Sequence, residues 1–416
     1  MAAAACCVLL LGAPVAHAVE PTSYARVQQA GEQRGTMWTR GALVSAERLY
    51  TLPTPEAVVG ELTEAGFSGD TVRHGVVAYR LVYRTVDAHG RRTTASGLLV
   101  LPLSSERRLS AVSFAHGTGV HRDDAPSVQR ARFVSAPAVA HAAAGAAGVA
   151  PDYLGMGTGP GPHPWMDVPS ETTASLDMLR AARAFVPRTG RVLERDVMVT
   201  GFSQGASAAL GLGRALEAGE DRWFRLGALA PVSGAYDFGG TELPALFAGD
   251  VEAKSGVVYA AYTMVAFNRL HRVYADPGEV FEARYASHIE ALFDGTHTGA
   301  EVMQGTPGSL DELLTERGRG MLEHPTGRLA DALRTTDAVC TDWVPEALVR
   351  LYMASGDEQA VTANTERCRA ALAGNGVYAP VVDVGPVDHQ GSRHVGSNVA
   401  ATPLIVRWFA ELRDHH

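Results

Sequence analysis

The chain has 416 residues, of which 46% are hydrophobic and 19% charged, and its formal net charge is −9. This composition is typical of a globular protein and excludes a largely disordered chain. The acidic balance, without any basic run, argues against a nucleic-acid-binding surface.

The first eighteen residues differ in character from the rest. Val8 to Leu11 form a short apolar run, and Ala16-His17-Ala18 matches a signal-peptidase cleavage pattern. We therefore predict that residues 1–18 are a secretory signal peptide and that the protein is secreted, to the cell envelope or the exterior. A short buried N-terminal helix is the alternative. Nowhere else do 18 apolar residues follow one another, so no transmembrane span is predicted.

Cysteine use is consistent with export. Cys6 and Cys7 would leave with the signal peptide, and Cys340 and Cys368 remain. An even pair in an exported protein favours a disulfide. Two unpaired buried thiols are the alternative, because a sequence cannot give the distance between the two Cα atoms.

The first half of the remaining chain contains strand and helix patterns. Residues 20–70 are irregular and are expected to wrap around the domain. Val76 to Val86 and Thr93 to Leu101 alternate in the manner of strands around a turn at 87–90, which predicts a β-hairpin. Buried-strand runs then alternate with helical patterns as far as Val232. This alternation predicts an α/β fold, with a mostly parallel central sheet flanked by helices.

The clearest functional motif lies at residues 196–210. A strand-like run meets Gly201-Phe202-Ser203-Gln204-Gly205, and a helical pattern of small residues follows. A serine on a sharp strand-to-helix turn leaves no room for side chains beside it, which explains the two glycines. The turn also aims the next backbone N–H at the place where an oxyanion would form. We predict that Ser203 is a nucleophile; an ordinary serine in a tight turn is the alternative.

The strand pattern stops after Val232. From Ser233 to about Pro345 the chain is helix-like and rich in aromatic residues, whereas connections in such sheets are usually short. We predict a helical cap over the catalytic face. Strand patterns resume at 348–354 and 378–384, and a final helix is expected from about Ser397 to Arg413.

A nucleophilic serine needs a base and an acid that orients the base. In this type of sheet the order along the chain is Ser, then Asp or Glu, then His. Asp357, in the first turn after the strand 348–354, is the preferred acid, and Glu358 is the alternative. Two His-x-Gly-Ser units follow the next strand. His389 is preferred as the base because it follows that strand soonest, and His394 is the alternative.

The oxyanion hole needs a second donor besides the Gln204 N–H. A buried-strand run ends in His116-Gly117-Thr118-Gly119. Enzymes that carry their nucleophilic serine on such a strand-to-helix turn take the second N–H from a loop in this position. Gly117 lets the backbone approach a ligand, and Thr118 could add a hydroxyl donor. His116 is expected to bond within its loop, and the remaining histidines to lie at the surface. No cluster has metal-ligand spacing, so no metal and no other cofactor is predicted.

Together these motifs resemble the secretory lipase family of the α/β-hydrolases, typified by fungal lipase A enzymes and their secreted bacterial relatives. The residues that carry the resemblance are Ala115–Thr118 with Ala125–Ser127, Asp152–Gly157, Gly201–Gly205, Gly356–Glu358 with Ala363-Asn364, and Asp388-His389. The resemblance runs from about residue 75 to the end. It implies ester hydrolysis, an exported enzyme and a helical cap inserted before the acid-bearing strand.

The predicted organisation is a signal peptide at 1–18, an α/β-hydrolase core at 19–232 and 346–416, and a cap at 233–345. The predicted function is hydrolysis of small-molecule or lipid esters through an acyl-enzyme on a serine. An exported serine aminopeptidase-type hydrolase is the first alternative, because it shares the acyl-enzyme chemistry. A non-catalytic binding protein is the second, and Ser, Asp and His in the correct order argue against it. The oligomeric state is not predicted.

Overall fold

A computed structural model describes residues 38–414, and the predicted signal peptide lies outside the described residues. The described part contains one ten-stranded sheet. Its strands are Leu43–Leu52 (β1), Val76–Val86 (β2), Arg92–Pro102 (β3), Arg108–Ala115 (β4), Ala147–Pro151 (β5), Val192–Phe202 (β6), Arg225–Val232 (β7), Leu348–Val349 (β8), Leu351–Met353 (β9) and Val381–Asp383 (β10). The expected hairpin is confirmed, since β2 and β3 pair antiparallel from end to end.

The strands lie in the order β1-β2-β3-β5-β4-β6-β7-β9-β10, with β8 paired to β7. The pairs from β1 to β5 along this order are antiparallel, and those from β5 to β10 are parallel. The predicted mostly parallel sheet is therefore confirmed. The loops that follow the parallel strands meet at one edge of the sheet, where α/β proteins place their ligand sites.

The strand β1 was missed by the sequence analysis. It lies at the edge of the sheet, is half-exposed along most of its length, and its pairing with β2 is interrupted at two places. A strand of this kind lacks the regular alternation by which a half-buried strand is recognised. Residues 43–52 therefore belong to the sheet.

Fourteen α-helices accompany the sheet in residues 38–414, and none of them is long and apolar enough to cross a membrane. They are Pro55–Glu64 (α1), Ala136–Ala143 (α2), Val168–Phe185 (α3), Gln204–Glu217 (α4), Leu243–Ala248 (α5), Ala253–His271 (α6), Ala283–Ala286 (α7), Ile289–Leu292 (α8), Gly299–Gly305 (α9), Leu310–Leu313 (α10), Glu316–Glu323 (α11), Gly327–Asp337 (α12), Ala363–Gly374 (α13) and Arg393–Asp414 (α14).

Two apolar clusters form the core, one on each face of the sheet. In β6, Val197 and Val199 join the first cluster and Met198 joins the second, as the two-residue period of a strand requires. Helices α3 and α4 cover the first face, and α1, α2 and α14 cover the second. The sheet is thus held between two helical layers, and β6 leads directly into α4.

The segment between β7 and β8 is helical and has a core of its own. It contains α5 to α12 and begins with a π-helical turn, Phe238–Glu242. Its aromatic residues, including Tyr262, Phe267 and Phe293, are buried in a third apolar cluster. We call residues 233–345 the cap. Most of the apolar surface in the cap therefore stabilises the cap itself.

A disulfide links the end of the cap to the rest of the protein. Cys340 lies in a short 3₁₀ turn after α12 and Cys368 lies in α13, with their Cα atoms 5.2 Å apart. Of the two possibilities that the sequence left open for this pair, the structure has the disulfide.

Candidate active site

Ser203 lies at the turn between β6 and α4. Its φ of 56° and ψ of −122° are values that residues with a side chain rarely adopt. A Cβ atom at Gly201 would collide with the backbone of Gly205, and one at Gly205 would collide with the backbone of Ala115. The two glycines of the motif are therefore required by close backbone packing, for the reason that the sequence motif predicts.

The imidazole that meets Ser203 belongs to His394, in the first turn of α14. Its Nε2 lies 2.9 Å from the Ser203 Oγ, and its Nδ1 lies 3.0 and 2.9 Å from the two carboxylate oxygens of Asp357. A carboxylate only accepts hydrogen bonds, so Nδ1 carries the proton and Nε2 accepts from the serine hydroxyl. The His394 ring is buried and packs against the Phe202 ring.

Asp357, the preferred acid, is buried in the loop after β9. Its Oδ1 also accepts hydrogen bonds from the backbone N–H groups of Gln359 and Ala360, at 3.0 and 2.9 Å. Burial by itself would raise the pKa of Asp357, but His394 and these N–H donors outweigh it and hold that pKa below its usual value. The carboxylate is therefore ionised at neutral pH and stabilises a positive charge on the imidazole.

Glu358, the alternative acid, does not contact the imidazole. Its carboxylate accepts hydrogen bonds from the backbone N–H groups of Arg393 and His394, at 3.1 and 3.4 Å, and from the Ser392 hydroxyl at 2.5 Å. A negative charge at a helix N-terminus stabilises the helix. Glu358 therefore holds the helical turn in which His394 lies.

The structure does not bring His389 to Ser203, and the preference for His389 is corrected. His389 and Ser392 exchange two backbone hydrogen bonds, of 3.0 and 3.1 Å, around two residues with positive φ. The chain therefore reverses immediately after His389. The His389 ring packs against Gly66, at the end of α1.

The physical reason for this correction is a misplaced helix boundary. The final helix begins at Arg393, not near Ser397. The Ser392 Oγ accepts a hydrogen bond of 3.1 Å from the Val395 N–H, which is the geometry of an N-cap. A serine before a helical segment was visible in the sequence, and it would have placed His394 in the first helical turn.

The loop predicted to provide the second oxyanion donor is mostly buried and is held by hydrogen bonds. The Tyr153 hydroxyl donates to the His116 carbonyl at 3.0 Å, and the two rings are in contact. The His116 Nδ1–H donates to the Gly117 carbonyl at 2.7 Å, as expected for a histidine that bonds within its loop. Gly117 packs closely on the Phe202 ring, where a side chain would not fit.

Thr118 and Gln204 both line the small cavity at Ser203. Gln204 is the first residue of α4, so its N–H lies at the positive end of the helix dipole. The Thr118 Oγ1 accepts a hydrogen bond of 2.9 Å from the Trp165 indole N–H, which leaves the hydroxyl hydrogen free to donate elsewhere. Both predicted donor residues are therefore next to the serine.

The side chain of Gln204 is held by two buried groups. Its Nε2 donates to the Glu171 Oε1 at 2.6 Å and to the His163 Nε2 at 2.8 Å, while the His163 Nδ1–H donates to the Leu154 carbonyl. Burial lowers the pKa of His163 to about 3 and raises the pKa of Glu171 to about 8, so both are neutral at neutral pH. This arrangement fixes the side chain of the residue whose backbone N–H is predicted to donate to the oxyanion.

The cavity at Ser203 is small. Its volume is about 20 Å³, enough for about one water molecule. The lining residues are Thr118, Trp165, Met166, Ser203, Gln204, Gln359 and Ala360 outside the cap and Ala235, Phe238, Glu242 and Tyr259 in the cap. The cap thus supplies part of the wall of the cavity at the serine.

The loop that carries Asp357 is hydrogen-bonded to the cap. We call residues 354–364 the acid loop. Three groups of the cap donate to the loop: the Glu252 N–H to the Glu358 carbonyl, the Tyr259 hydroxyl to the Gln359 Oε1, and the Asp237 N–H to the Asn364 Oδ1. In the other direction, the Val361 N–H and the Asn364 Nδ2 both donate to the Glu242 Oε2 of the cap. The cap and the acid loop therefore form one hydrogen-bonded unit.

Three buried polar residues near Ser203 were missed by the sequence analysis. The histidines outside the predicted site were expected at the surface, but His163 is buried, so that expectation is wrong for it. Glu171 falls on the apolar face of α3 with Leu179 and Ala182, and a carboxyl on such a face was the available indication. Glu242 had no comparable indication, because its neighbours come from distant parts of the chain.

Comparisons with known proteins identify the fold. No family model and no curated protein matches the chain significantly. The rice cell wall degrading esterase LipA from Xanthomonas oryzae superposes with a TM-score of 0.75 and 25% identity, over 91% of this chain and 98% of that one. A Legionella pneumophila protein assigned as a hydrolase gives 0.79 and 22%, over 89% and 98%. Candida antarctica lipase A in its closed state gives 0.60 and 13%, over 83% and 76%.

The three superpositions extend over 83 to 91% of this chain with TM-scores of 0.60 to 0.79, so the proteins share one fold. The chain has the α/β-hydrolase fold, and the solved structures that it resembles include an esterase and a lipase.

Proposed function

We propose that the protein is an exported serine esterase that hydrolyses carboxylic esters of small molecules or lipids through an acyl-enzyme on Ser203. The observation that carries the proposal is the continuous hydrogen-bond chain from the Ser203 hydroxyl through the His394 imidazole to the Asp357 carboxylate. The three groups are already in contact, so the serine can be activated without rearrangement.

Acylation follows from this geometry. The Ser203 Oγ attacks the ester carbonyl carbon while the His394 Nε2 takes the hydroxyl proton, and Asp357 stabilises the resulting imidazolium. The negative charge moves to the carbonyl oxygen, where the Gln204 N–H and the loop at 117–118 would donate hydrogen bonds. The bond to the leaving alcohol then breaks, and His394 returns the proton to the alcohol oxygen.

Deacylation repeats these steps with water. His394 takes a proton from the water, the water oxygen attacks the acyl carbon, and the tetrahedral intermediate collapses to release a carboxylic acid and the free Ser203 hydroxyl. Every proton is accounted for by one imidazole, so the proposed reaction needs no cofactor.

Export is supported by two features of the chain. Residues 1–18 carry the pattern of a signal peptide. The Cys340–Cys368 disulfide fits an oxidising compartment. N-terminal sequencing of the protein collected from the medium or envelope fraction should find Val19 as the first residue, and an intact N-terminus in the cytosolic fraction would contradict export.

The experiment that tests the proposed mechanism is Ser203→Ala, assayed on p-nitrophenyl butyrate. Loss of the nucleophile should lower kcat by on the order of 10⁶, with little change in Tm. A fluorophosphonate probe should label the wild type at Ser203. The matched control is Ser207→Ala, a buried serine one turn further along α4, which should keep both activity and labelling. Labelling of another serine, or turnover in the Ser203 variant, would contradict the mechanism.

A further inference from the structure

The proposed reaction makes no use of one carboxyl group in the cavity, that of Glu242. This residue ends the π-helical turn at the start of the cap and lines the same small cavity as Ser203. Only 1% of it is exposed. A carboxyl group is unfavourable in such a place unless its oxygens have hydrogen-bond partners.

The two oxygens of the Glu242 carboxyl differ in this respect. Oε2 accepts hydrogen bonds from the Asn364 Nδ2 at 2.5 Å and from the Val361 N–H at 3.2 Å. Oε1 has no hydrogen-bond partner among residues 38–414. One oxygen therefore fixes the group to the acid loop, and the other is buried without a partner.

The protonation of the group decides what Oε1 can bind. Burial, with a further contribution from the charge of Asp357, raises the pKa of Glu242 to about 8, so the carboxyl is neutral at neutral pH. Because Oε2 is used as an acceptor by two donors, the proton belongs on Oε1. A neutral O–H at this position is a hydrogen-bond donor that needs an acceptor.

We propose that Glu242 is a specificity-determining residue whose Oε1 donates a hydrogen bond to a hydroxyl or ether oxygen of the substrate. The preferred substrates are then esters with such an oxygen near the scissile bond, in the acyl group or in the alcohol. This inference rests on the proposed ester hydrolysis. A plain alkyl ester would leave the buried donor without a partner, and sites built around such a donor discriminate against ligands that cannot pair with it.

An ammonium group is the other partner that a carboxyl can take, as in the aminopeptidase alternative. It would require the ionised form of Glu242 next to the ionised Asp357, and like charges at close range disfavour that state. The two partners differ in what a glutamine at position 242 would do. Its carbonyl can accept from Asn364 and Val361, which places an N–H donor where Oε1 was.

The test uses two pairs of esters of similar size with the purified full-length protein. Methyl 3-hydroxybutanoate against methyl butanoate places the hydroxyl in the acyl group, and 2-hydroxyethyl butanoate against propyl butanoate places it in the alcohol. We expect kcat/KM to favour the hydroxylated ester about fivefold to tenfold in one pair, the effect of about one hydrogen bond. The pair that responds identifies the side of the scissile bond that Glu242 contacts.

Two substitutions then assign the preference to the Oε1 donor. Glu242→Gln should keep the preference within about twofold, because a donor remains. Glu242→Met should reduce the preference to about one; because it also removes the acceptor of the Val361 and Asn364 donors, kcat/KM should fall for both esters of a pair alike, and the ratio between the two esters is the readout. Glu242→Leu replaces the methionine variant if that variant fails to fold, as judged by Tm and serine labelling. The control is Glu316→Met in α11, an exposed glutamate of the cap, which should change nothing.

The possible results are distinct. A preference that survives Glu242→Met, or no preference in the wild type while plain esters are hydrolysed, overturns the inference and leaves the proposed function intact. A preference for methyl 3-aminobutanoate over methyl butanoate that both Glu242→Gln and Glu242→Met abolish also overturns the inference, in favour of an ammonium site. If the wild type hydrolyses no ester and its serine is not labelled, the proposed function fails, and the inference fails with it.

Discussion

Glu171→Gln should make the protein less sensitive to alkaline pH. Glu171 is fully buried beneath the turn that carries Ser203, and burial raises its pKa from 4.5 to about 8, with the Asp167 charge adding and the hydrogen bond from Gln204 opposing. Between these two values the folded protein keeps a proton that the unfolded chain has released. The stability contributed by the protonated group is therefore complete below about pH 4.5 and is lost as the pH rises through about 8.

The magnitude follows from that interval. A pKa of 4.5 in the unfolded chain against about 8 in the fold corresponds to about 5 kcal/mol of unfolding free energy, at about 1.4 kcal/mol for each pH unit. This value is an upper limit, because the fold can relax around the charge. We expect the free energy of unfolding of the variant, relative to that of the wild type, to increase by at least about 2 kcal/mol as the pH rises from about 5 to about 9. Gln keeps the oxygen that accepts from Gln204 and cannot ionise.

The assay is urea unfolding of both proteins across that pH range. The difference between them isolates Glu171, because Glu242 and Asp337, whose pKa values burial raises to about 8 and about 7, titrate in both. The exposed Glu64→Gln is the control for the chemical change itself. A difference in unfolding free energy that is constant with pH would refute the reasoning, since it would mean that Glu171 gains no charge in the folded protein.

Three further predictions concern the site and the disulfide. His394→Ala should lower kcat by a factor close to that of Ser203→Ala, since the residues of a catalytic triad act as a unit, whereas His389→Ala should lower kcat by no more than about tenfold. Both variants are assayed on p-nitrophenyl butyrate, and a larger loss for His389→Ala than for His394→Ala would reverse the assignment. Tyr153→Phe removes the donor to the His116 carbonyl and should lower kcat by about tenfold with little change in KM; a rise in KM alone would contradict a role in holding the oxyanion loop. Cys340→Ser opens a loop of 28 residues and should lower the free energy of unfolding by about 3 to 4 kcal/mol, measured by urea unfolding, and a reductant should then have no further effect.

The nucleophile turn could be predicted because its geometry is local. Gly201 and Gly205 are required by backbone contacts within the motif and with the end of one neighbouring strand, so five consecutive residues contain the information. Asp357 could be predicted for a similar reason, because it follows a recognisable strand at its first turn. In both cases the relevant distances along the chain are short.

The histidine could not be chosen with the same reasoning. His389 and His394 lie in almost identical local sequences, and the choice depends on where the chain reverses and where α14 begins. Both are decided by contacts with residues far away in sequence, Gly66 for the His389 ring and Glu358 for the helix N-terminus. The buried carboxyls raise the same difficulty, because Glu171 meets Gln204, and Glu242 meets Asn364, only in the folded protein.

The hydrogen bonds between the cap and the acid loop have a consequence for protein engineering. Caps of hydrolases are attractive parts to exchange between relatives, because they border the substrate. In this protein an exchanged cap would remove the partners of Val361 and Asn364 and would leave the neighbouring Asp357 on an unsupported loop. A chimaera that takes residues 233–345 from another enzyme should therefore also take residues 354–364, so that the new cap keeps the loop to which it is hydrogen-bonded.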